Sequence, residues 1–200
     1  METRKSPARI KLEKRGIRAL GIAESFNESV SKAHSILAGV VMRSDMIIDG
    51  FIFGSTTISG DDSTSEIIAM HQRLGRNDIN LVMIGGAVIS LFNIIDIEKV
   101  GRETGLPVIS VTFERSDGLI DPIKRHFPSG WEEKIKAYER IGNRDEIKLW
   151  TEHSVFVRHY GVDLVDVRKT LDKFLKQGAV PEPIRLAQLL ARANLHRTIS

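Results

Sequence analysis

The 200-residue sequence contains no cysteine, which excludes disulfides, thiolate metal sites and cysteine nucleophiles. It also lacks the basic, then apolar, then small-residue pattern of a signal peptide. No apolar run approaches the roughly 18 residues of a membrane-spanning helix. These absences predict a cytoplasmic protein that has no membrane partner.

Several catalytic motifs are missing as well. The sequence has no phosphate loop ending in Gly-Lys-Ser/Thr and no G-x-G-x-x-G fingerprint, and its six histidines form no HExxH pair. A G-x-S-x-G nucleophile elbow is also absent. Gly85 and Gly86 follow a predicted strand, and we interpret them as allowing a close backbone approach or a tight turn. The motifs therefore give no support to nucleotide-loop, zinc or serine-hydrolase chemistry.

Basic residues are concentrated at the start of the chain. The formal net charge is +3, but residues 1–18 contain seven basic side chains and only two acidic ones, Glu2 and Glu13. The seven are Arg4, Lys5, Arg9, Lys11, Lys14, Arg15 and Arg18. We predict a flexible basic arm over residues 1–15 and a single α/β domain over residues 16–200. Such an arm favours salt-sensitive phosphate binding, although without aromatic side chains it cannot stack on bases.

Apolar runs and helical spacing predict the order of the elements. Three strands separated by short gaps are typical of antiparallel neighbours, at residues 17–22, 34–42 and 46–53. Strands at 80–84 and 108–113 then alternate with helices after Ser63 and at 95–104, which indicates a parallel part of the sheet. The last third is mostly helical, with helices after Ser129, at 164–175 and at 181–195, and a weaker strand at 154–160. This is the order of the ribonuclease-H-like architecture.

Five segments together resemble one known family, and they are residues 20–25, 49–68, 82–97, 104–111 and 181–191. The most specific pieces are Phe92-Asn93-Ile94-Ile95-Asp96, Gly105-Leu106-Pro107-Val108, and Pro181-Glu182-Pro183 followed by Arg185. Over about residues 17–195 the chain resembles the largely archaeal family known as domain of unknown function 99, which is itself similar to endonuclease V. The resemblance implies an endonuclease-V-like mixed sheet with flanking helices and, as partner, DNA or RNA.

The chain departs from that family where acidic side chains are expected. The family places an aspartate after the Leu-Gly-Ile of its first strand, whereas this chain has Ala23 followed by Glu24. Where the family has an Asp-Gly pair after the fourth strand, this chain has Gly85-Gly86. Where the family has a histidine or aspartate in the final helix, this chain has Gln188. Two-metal nucleases hold Mg²⁺ or Mn²⁺ with carboxylates, which alanine and glycine cannot supply. We therefore expect a degenerate site with no catalytic residue and no metal cofactor. Glu24 is expected to point away from the face of Ala23, since neighbours in a strand alternate.

Acidic residues elsewhere leave an alternative open. A divalent-metal-dependent nuclease with a relocated site would bind Mg²⁺ or Mn²⁺ through Glu24, Asp49, Asp61 and Glu66. Asp61, Asp62 and Asp96 also have the positions of helix-capping residues, and Asp49 that of a turn or surface residue. Capping boxes are predicted at two helix starts, Ser63 with Glu66 and Ser129 with Glu132.

The leading hypothesis is a catalytically inactive protein that binds nucleic acid. The basic arm would act together with a basic face on the final helix, where Arg185 and Arg192 are seven residues apart. A third interpretation is a scaffold or homodimer that presents an exposed apolar helix face. That face would consist of Leu186, Leu189, Leu190 and Leu195.

Overall fold

A computed structural model describes residues 16–27 and 33–197, and of residues 196 and 197 the backbone only. The predicted basic arm, residues 1–15, lies outside the described residues. The strands are β1 (Arg18–Ser25), β2 (His34–Arg43), β3 (Ile48–Thr57), β4 (Leu81–Gly85), β5 (Val88–Ile89), β6 (Asn93–Ile94), β7 (Val108–Thr112), β8 (Asp145–Lys148) and β9 (Ser154–Tyr160). The helices are α1 (Ser63–Leu74), α2 (Ile97–Thr104), α3 (Ile120–His126), α4 (Trp131–Arg140), α5 (Leu164–Lys173) and α6 (Glu182–Arg197).

The main sheet combines antiparallel and parallel strands in the order β3-β2-β1-β4-β7-β9-β8. β1, β2 and β3 pair antiparallel, β4 runs parallel to β1, and β7 runs parallel to β4. β9 then pairs antiparallel with both β7 and β8. This confirms the predicted succession of three antiparallel strands and a parallel βαβ unit. The short hairpin β5–β6, the helix α3 and the strand β8 were not predicted.

Alternation along β1 supplies both faces of the sheet. Ala19 and Ala23 join the core on the side of α5 and α6, whereas Leu20 and Ile22 join the core on the side of α1 and α2. Because successive side chains of a strand point to opposite faces, one central strand anchors two cores. A residue at the end of β1 therefore lies between the two layers of helices.

The start of α6 lies directly against the backbone of the central strands. A Cβ atom built on Gly21 would lie 2.4 Å from the carbonyl carbon of Pro183, and one built on Gly85 would lie 3.1 Å from Cγ2 of Ile184. Gly86 has a φ of +95°, which favours glycine. Of the two interpretations of Gly85-Gly86, the tight turn is the one observed, because the Gly86 N–H also donates to the carbonyl of Ile84 at 3.0 Å, whereas the close contact of Gly85 is with a side chain.

Both predicted capping boxes are wrong. In α1 the Ser63 hydroxyl donates to Oδ1 of Asn93 at 2.5 Å, and the Ser63 N–H donates to the same oxygen at 3.2 Å. The capping residue of α4 is Gly130, which has no side chain to accept a hydrogen bond. Asp96, by contrast, caps α2 as predicted, because its carboxylate accepts the Lys99 N–H at 2.9 Å.

The prediction that the final helix presents an exposed apolar face is also wrong. Leu195 is buried, and Leu186 and Leu190 pack against the core beneath α6. Leu189 is the one member of that set that is exposed. Three of the four leucines therefore hold α6 on the sheet, and the helix does not present a continuous apolar surface.

Candidate nucleic-acid cleft

A cleft of about 530 Å³ opens at the carboxyl ends of β1, β4 and β7. It brings together the three positions at which the family resemblance implies polar or acidic side chains, Ala23, Gly85 and Gln188. A Cβ atom on Gly85 would lie 3.7 Å from the Cβ atom of Ala23, and Gln188 is exposed on α6. Positions far apart in sequence thus meet at one site, but two of them offer no ligand atom from a side chain.

Carboxylates are scarce in this cleft. Among the described residues that line it, only Glu24 and Glu114 are acidic. Glu24 accepts the Ser90 N–H at 3.0 Å and the Ser90 hydroxyl at 2.7 Å, whereas Ala23 belongs to the core beneath α6. The two neighbours therefore have different surroundings, as strand alternation predicts.

Glu24 stabilises an unusual turn. Ser90, Leu91 and Phe92 join β5 to β6 with φ angles of +44°, +51° and +69°. A left-handed conformation costs a residue other than glycine roughly 1 kcal/mol or more, so three in succession need support from their surroundings. Glu24 provides it together with Ser35, whose hydroxyl lies 2.6 Å from that of Ser90. Glu24 accordingly has a structural task that sequence reasoning missed.

The four carboxylates of the predicted alternative metal site are not brought together. Asp61 pairs with Lys134 at 2.6 Å, Glu66 pairs with Arg73 at 2.9 Å, and Glu24 binds Ser90. Asp49 pairs with Arg18 at 2.6 Å, at the opposite end of β1 from Glu24. Within residues 16–27 and 33–197, no three His, Asp or Glu side chains converge as a metal-binding group. The structure therefore does not assemble these four carboxylates into one group, because each is engaged by another partner.

The predicted basic face is only partly available. Arg18 is engaged by Asp49 and by Asp78, which lies 3.2 Å away. Hydrogen bonds from Arg185 to Glu182 raise the pKa of this arginine and neutralise its charge locally. Arg192 is exposed on α6. Arg4, Lys5, Arg9, Lys11, Lys14 and Arg15 lie outside the described residues.

Two arginines in the cleft were missed by sequence reasoning. Arg158 in β9 is only 8% exposed, and its Nε donates to the carbonyl of Gly142 at 2.8 Å. Arg144 donates to Oγ1 of Thr112 and to two backbone carbonyls of the following loop, at 3.1–3.2 Å. No described carboxylate lies within 4.0 Å of either guanidinium group. The sequence signals neither, since it is the pairing of β9 with β7 and with β8 that brings Arg158 and Arg144, the residue that precedes β8, to the cleft.

The surroundings of Arg158 disfavour its charge. Burial lowers the pKa of Arg158, the neighbouring Tyr138 partly offsets this, and the positive charge of Arg144 lowers the pKa further. An arginine stays protonated at neutral pH even so. The wall of the cleft thus holds two neighbouring cations that are bound by neutral hydrogen-bond acceptors and lie against the rings of Tyr138 and Phe156, and this arrangement favours an anion.

The sheet order, and a cleft at the carboxyl ends of β1, β4 and β7, define a ribonuclease-H-like α/β fold, which is also the fold of endonuclease V. The chain belongs to the endonuclease dU family, whose family model matches residues 15–195. A UPF0215 protein of Pyrobaculum calidifontis is 33% identical over 172 residues, covering 86% of this chain and 93% of its own length. A UPF0215 protein of Thermococcus sibiricus is 29% identical over 182 residues, covering 88% and 91%. These matches confirm the resemblance to an archaeal, endonuclease-V-like family.

Solved structures show the same fold. The crystal structure of a protein of unknown function from Archaeoglobus fulgidus has a TM-score of 0.77 at 27% identity, over 90% of this chain and 99% of that chain. Human ENDOV has a TM-score of 0.65 at 12% identity, over 100% and 92%. Ciona intestinalis endonuclease V, in complex with a 24mer DNA containing an inosine, has a TM-score of 0.62 at 16% identity, over 92% and 87%. The likeness to the two endonuclease V structures is one of fold.

One further property concerns membranes. In the described part of the chain, none of the helices is both long and apolar enough to span a bilayer.

Proposed function

We propose that this protein binds nucleic acid in the cleft and does not cut it by a two-metal mechanism. The observation that carries the proposal is the pair Ala23 and Gly85, which meet at the ends of two parallel strands with no carboxylate between them. Metal ions that activate water and stabilise a leaving oxygen need such carboxylates as bridging ligands. The relative from Ciona intestinalis is complexed with DNA, which supports nucleic acid as the ligand class.

The same replacements favour binding of phosphates without metal. A phosphodiester carries a negative charge and is repelled by unpaired carboxylates, so neutral residues at 23 and 85 remove that repulsion. Arg144 and Arg158 provide positive charge on the wall of the cleft. The basic residues of the arm and the exposed Arg192 would add contacts that depend on salt and not on sequence.

The experiment is fluorescence anisotropy of the full chain with labelled single-stranded and duplex DNA and RNA, across a salt series. Probes with and without deoxyuridine are compared, because the family is described as endonuclease dU. We expect salt-sensitive binding, and probes that are recovered intact after incubation with Mn²⁺. Replacing the six basic residues of the arm by glutamine should reduce the salt slope by about 0.9 for each phosphate that is no longer neutralised. Cleavage of the probes in Mn²⁺ would overturn the proposal.

A second candidate, association of two copies, is favoured by one observation on the edge strand β3. Phe51 and Phe53 are 52% and 44% exposed, and no Lys, Arg or Pro interrupts residues 46–58. Edge strands usually carry such residues because they discourage pairing with another chain. Arg73 and Arg76 donate to the carbonyls of Phe53 and Asp49 and cover part of this edge. A molar mass in light scattering that stays that of one chain at every concentration would exclude a homodimer.

A further inference from the structure

We propose that Arg144, Arg158 and Tyr138 form a phosphate-binding subsite on the wall of the cleft. This inference rests on the proposed function and deepens it, because it assigns the contact that would replace the missing metals. All three residues line the same cleft as Ala23, Gly85 and Gln188.

Two contacts determine the orientation of Arg158. Its Nε is used by the carbonyl of Gly142, and its guanidinium carbon lies 5.8 Å from the centre of the Tyr138 ring. These two contacts fix the side chain, which is more than nine-tenths buried. A buried guanidinium without a carboxylate partner is costly unless hydrogen bonds or an anion compensate for the lost water. The cleft is the side from which such an anion can approach.

Arg144 gives the subsite its second cation. It is anchored by Thr112, Glu114 and Ser116 through one hydroxyl and two carbonyl oxygens, all of which are neutral acceptors. Its guanidinium carbon also lies 5.1 Å from the centre of the Phe156 ring. These contacts fix the position of the side chain before any ligand arrives, which lowers the entropic cost of binding. Its charge is left uncompensated.

Arg115 is not part of this subsite, although it lines the same cleft. Its guanidinium lies 3.2 Å from the carboxylate of Glu146, and its side chain is 78% exposed. An exposed ion pair of this kind contributes little to a fixed binding geometry. Arg115 therefore belongs to the exposed rim of the cleft, whereas Arg144 and Arg158 belong to its inner wall.

A phosphate group matches this arrangement. Guanidinium groups present a planar fork of N–H donors that fits phosphate oxygens, and charge-assisted bonds of this type are stronger than neutral ones. Tyr138 lines the same wall and would add its hydroxyl as a further donor. The phosphate would belong either to an internal phosphodiester or to the end of a strand. Binding should need no divalent metal and should persist in a chelator.

The test uses the full chain, the variants Arg144→Gln, Arg158→Gln and Arg158→Lys, and the matched control Arg140→Gln. Arg140 is exposed at the end of α4 and does not line the cleft. Circular dichroism shows which variants fold. We expect Arg144→Gln and Arg158→Gln to weaken oligonucleotide binding in chelator about tenfold each, and to reduce the salt slope by about 1. Arg158→Lys should recover little, because an ammonium group lacks the planar fork. Arg140→Gln should bind like the wild type.

A second measurement does not depend on nucleic acid. Inorganic phosphate should raise the melting temperature of the wild type more than chloride at equal ionic strength, and Arg144→Gln should abolish this difference. If Arg158→Gln fails to fold, this comparison with Arg144→Gln decides. No phosphate-specific stabilisation, or oligonucleotide binding that is unchanged in folded variants, would overturn the subsite.

The two proposals fail in different ways. Phosphate stabilisation that depends on Arg144, without binding of any oligonucleotide, would retain the subsite and reject the proposed function. Oligonucleotide binding that is independent of Arg144 and Arg158 would retain the proposed function and reject the subsite. With both supported, 5′-phosphorylated and 5′-hydroxyl probes identify the source of the phosphate: equal affinity assigns an internal phosphodiester, and a preference for the phosphorylated probe assigns a terminal phosphate.

Discussion

A Cβ atom on Gly85 would lie 3.7 Å from the Cβ atom of Ala23, because β1 and β4 run parallel and end side by side. Side chains at these two positions share one volume at the mouth of the cleft. We therefore expect their chemistry to govern whether the cleft binds a divalent metal ion. With alanine and glycine there, neither position supplies a carboxylate to the mouth of the cleft.

The double variant Ala23→Asp/Gly85→Asp should acquire affinity for Mn²⁺. Two carboxylates at adjacent strand ends provide the hard oxygen ligands that Mn²⁺ and Mg²⁺ prefer. Some stability should be lost, because the new Cβ at position 85 would lie 3.1 Å from Ile184. Isothermal titration calorimetry compares it with Ala23→Ser/Gly85→Ser, which adds polar groups without charge. Wild-type protein that already binds one Mn²⁺ as tightly as the double variant would contradict the account.

Gly21→Ala should destabilise the protein by about 1–3 kcal/mol or more. A Cβ atom at this position would overlap with the backbone of Pro183, which cannot give way without moving the start of α6. Gly16→Ala is the matched control, since a Cβ atom there would have no neighbour within 4 Å. Urea unfolding of both variants measures the difference. Equal stabilities would show that α6 is not seated on β1 as described.

Asp62→Asn should remove part of the pH dependence of stability. Burial alone would raise the pKa of Asp62, but hydrogen bonds from Thr56, Thr57 and Asn93 outweigh it and hold the pKa at about 2, below the ordinary 3.8. The folded state thus binds this proton less readily than the unfolded state. The resulting stabilisation is present above about pH 4 and is lost as the pH falls towards 2.

Urea unfolding between pH 2 and pH 7 checks this prediction. At pH 7 the Asp62→Asn variant should be less stable by about 1.5–3 kcal/mol, because hydrogen bonds to a charged acceptor are lost. The difference from wild type should shrink between pH 4 and pH 2. Asp117→Asn, at an exposed aspartate, should leave stability near the wild-type value throughout. A difference for Asp62→Asn that stays constant with pH would contradict the assignment.

Lys134→Met should destabilise the protein by about 1–3 kcal/mol. The lysine side chain is 7% exposed, and its ammonium group donates to the carbonyl of Gly60 at 2.5 Å and to Asp61 at 2.6 Å. Methionine fills a similar volume but leaves the carbonyl of Gly60 without this donor. Lys136→Met, at an exposed position of the same helix, is the control for loss of charge. Equal melting temperatures for the two variants would mean that the buried ammonium group stabilises nothing.

The sequence predicted the parts of the fold that are encoded in local patterns. The apolar runs of β1 to β4 and β7, and the cap at Asp96, depend on residues close to one another in the chain. The predicted capping box at Ser63 failed because its hydroxyl is bound by Asn93, thirty residues away. A local pattern cannot indicate which partner a polar group finds in the folded state.

The candidate site likewise contains residues that the sequence predicted and residues that it did not. Ala23, Gly85 and Gln188 were singled out through the family resemblance, and the fold brings them to one cleft. Arg158 was overlooked because it lies in a weakly alternating strand, and only the pairing of β9 with β7 and β8 and the packing of α4 bring it to the cleft beside Arg144 and Tyr138. Long-range pairing of this kind leaves no mark in the local sequence.

The central claim is that the cleft binds nucleic acid without cutting it, and one measurement tests it most directly. The full chain is mixed with end-labelled, deoxyuridine-containing DNA, and binding by anisotropy and strand length by gel are followed in the same samples, with Mn²⁺ and with chelator. The account predicts binding that falls with salt, is the same with metal and chelator, and leaves every strand at full length. Strands that are cut in Mn²⁺ and intact in chelator would contradict it.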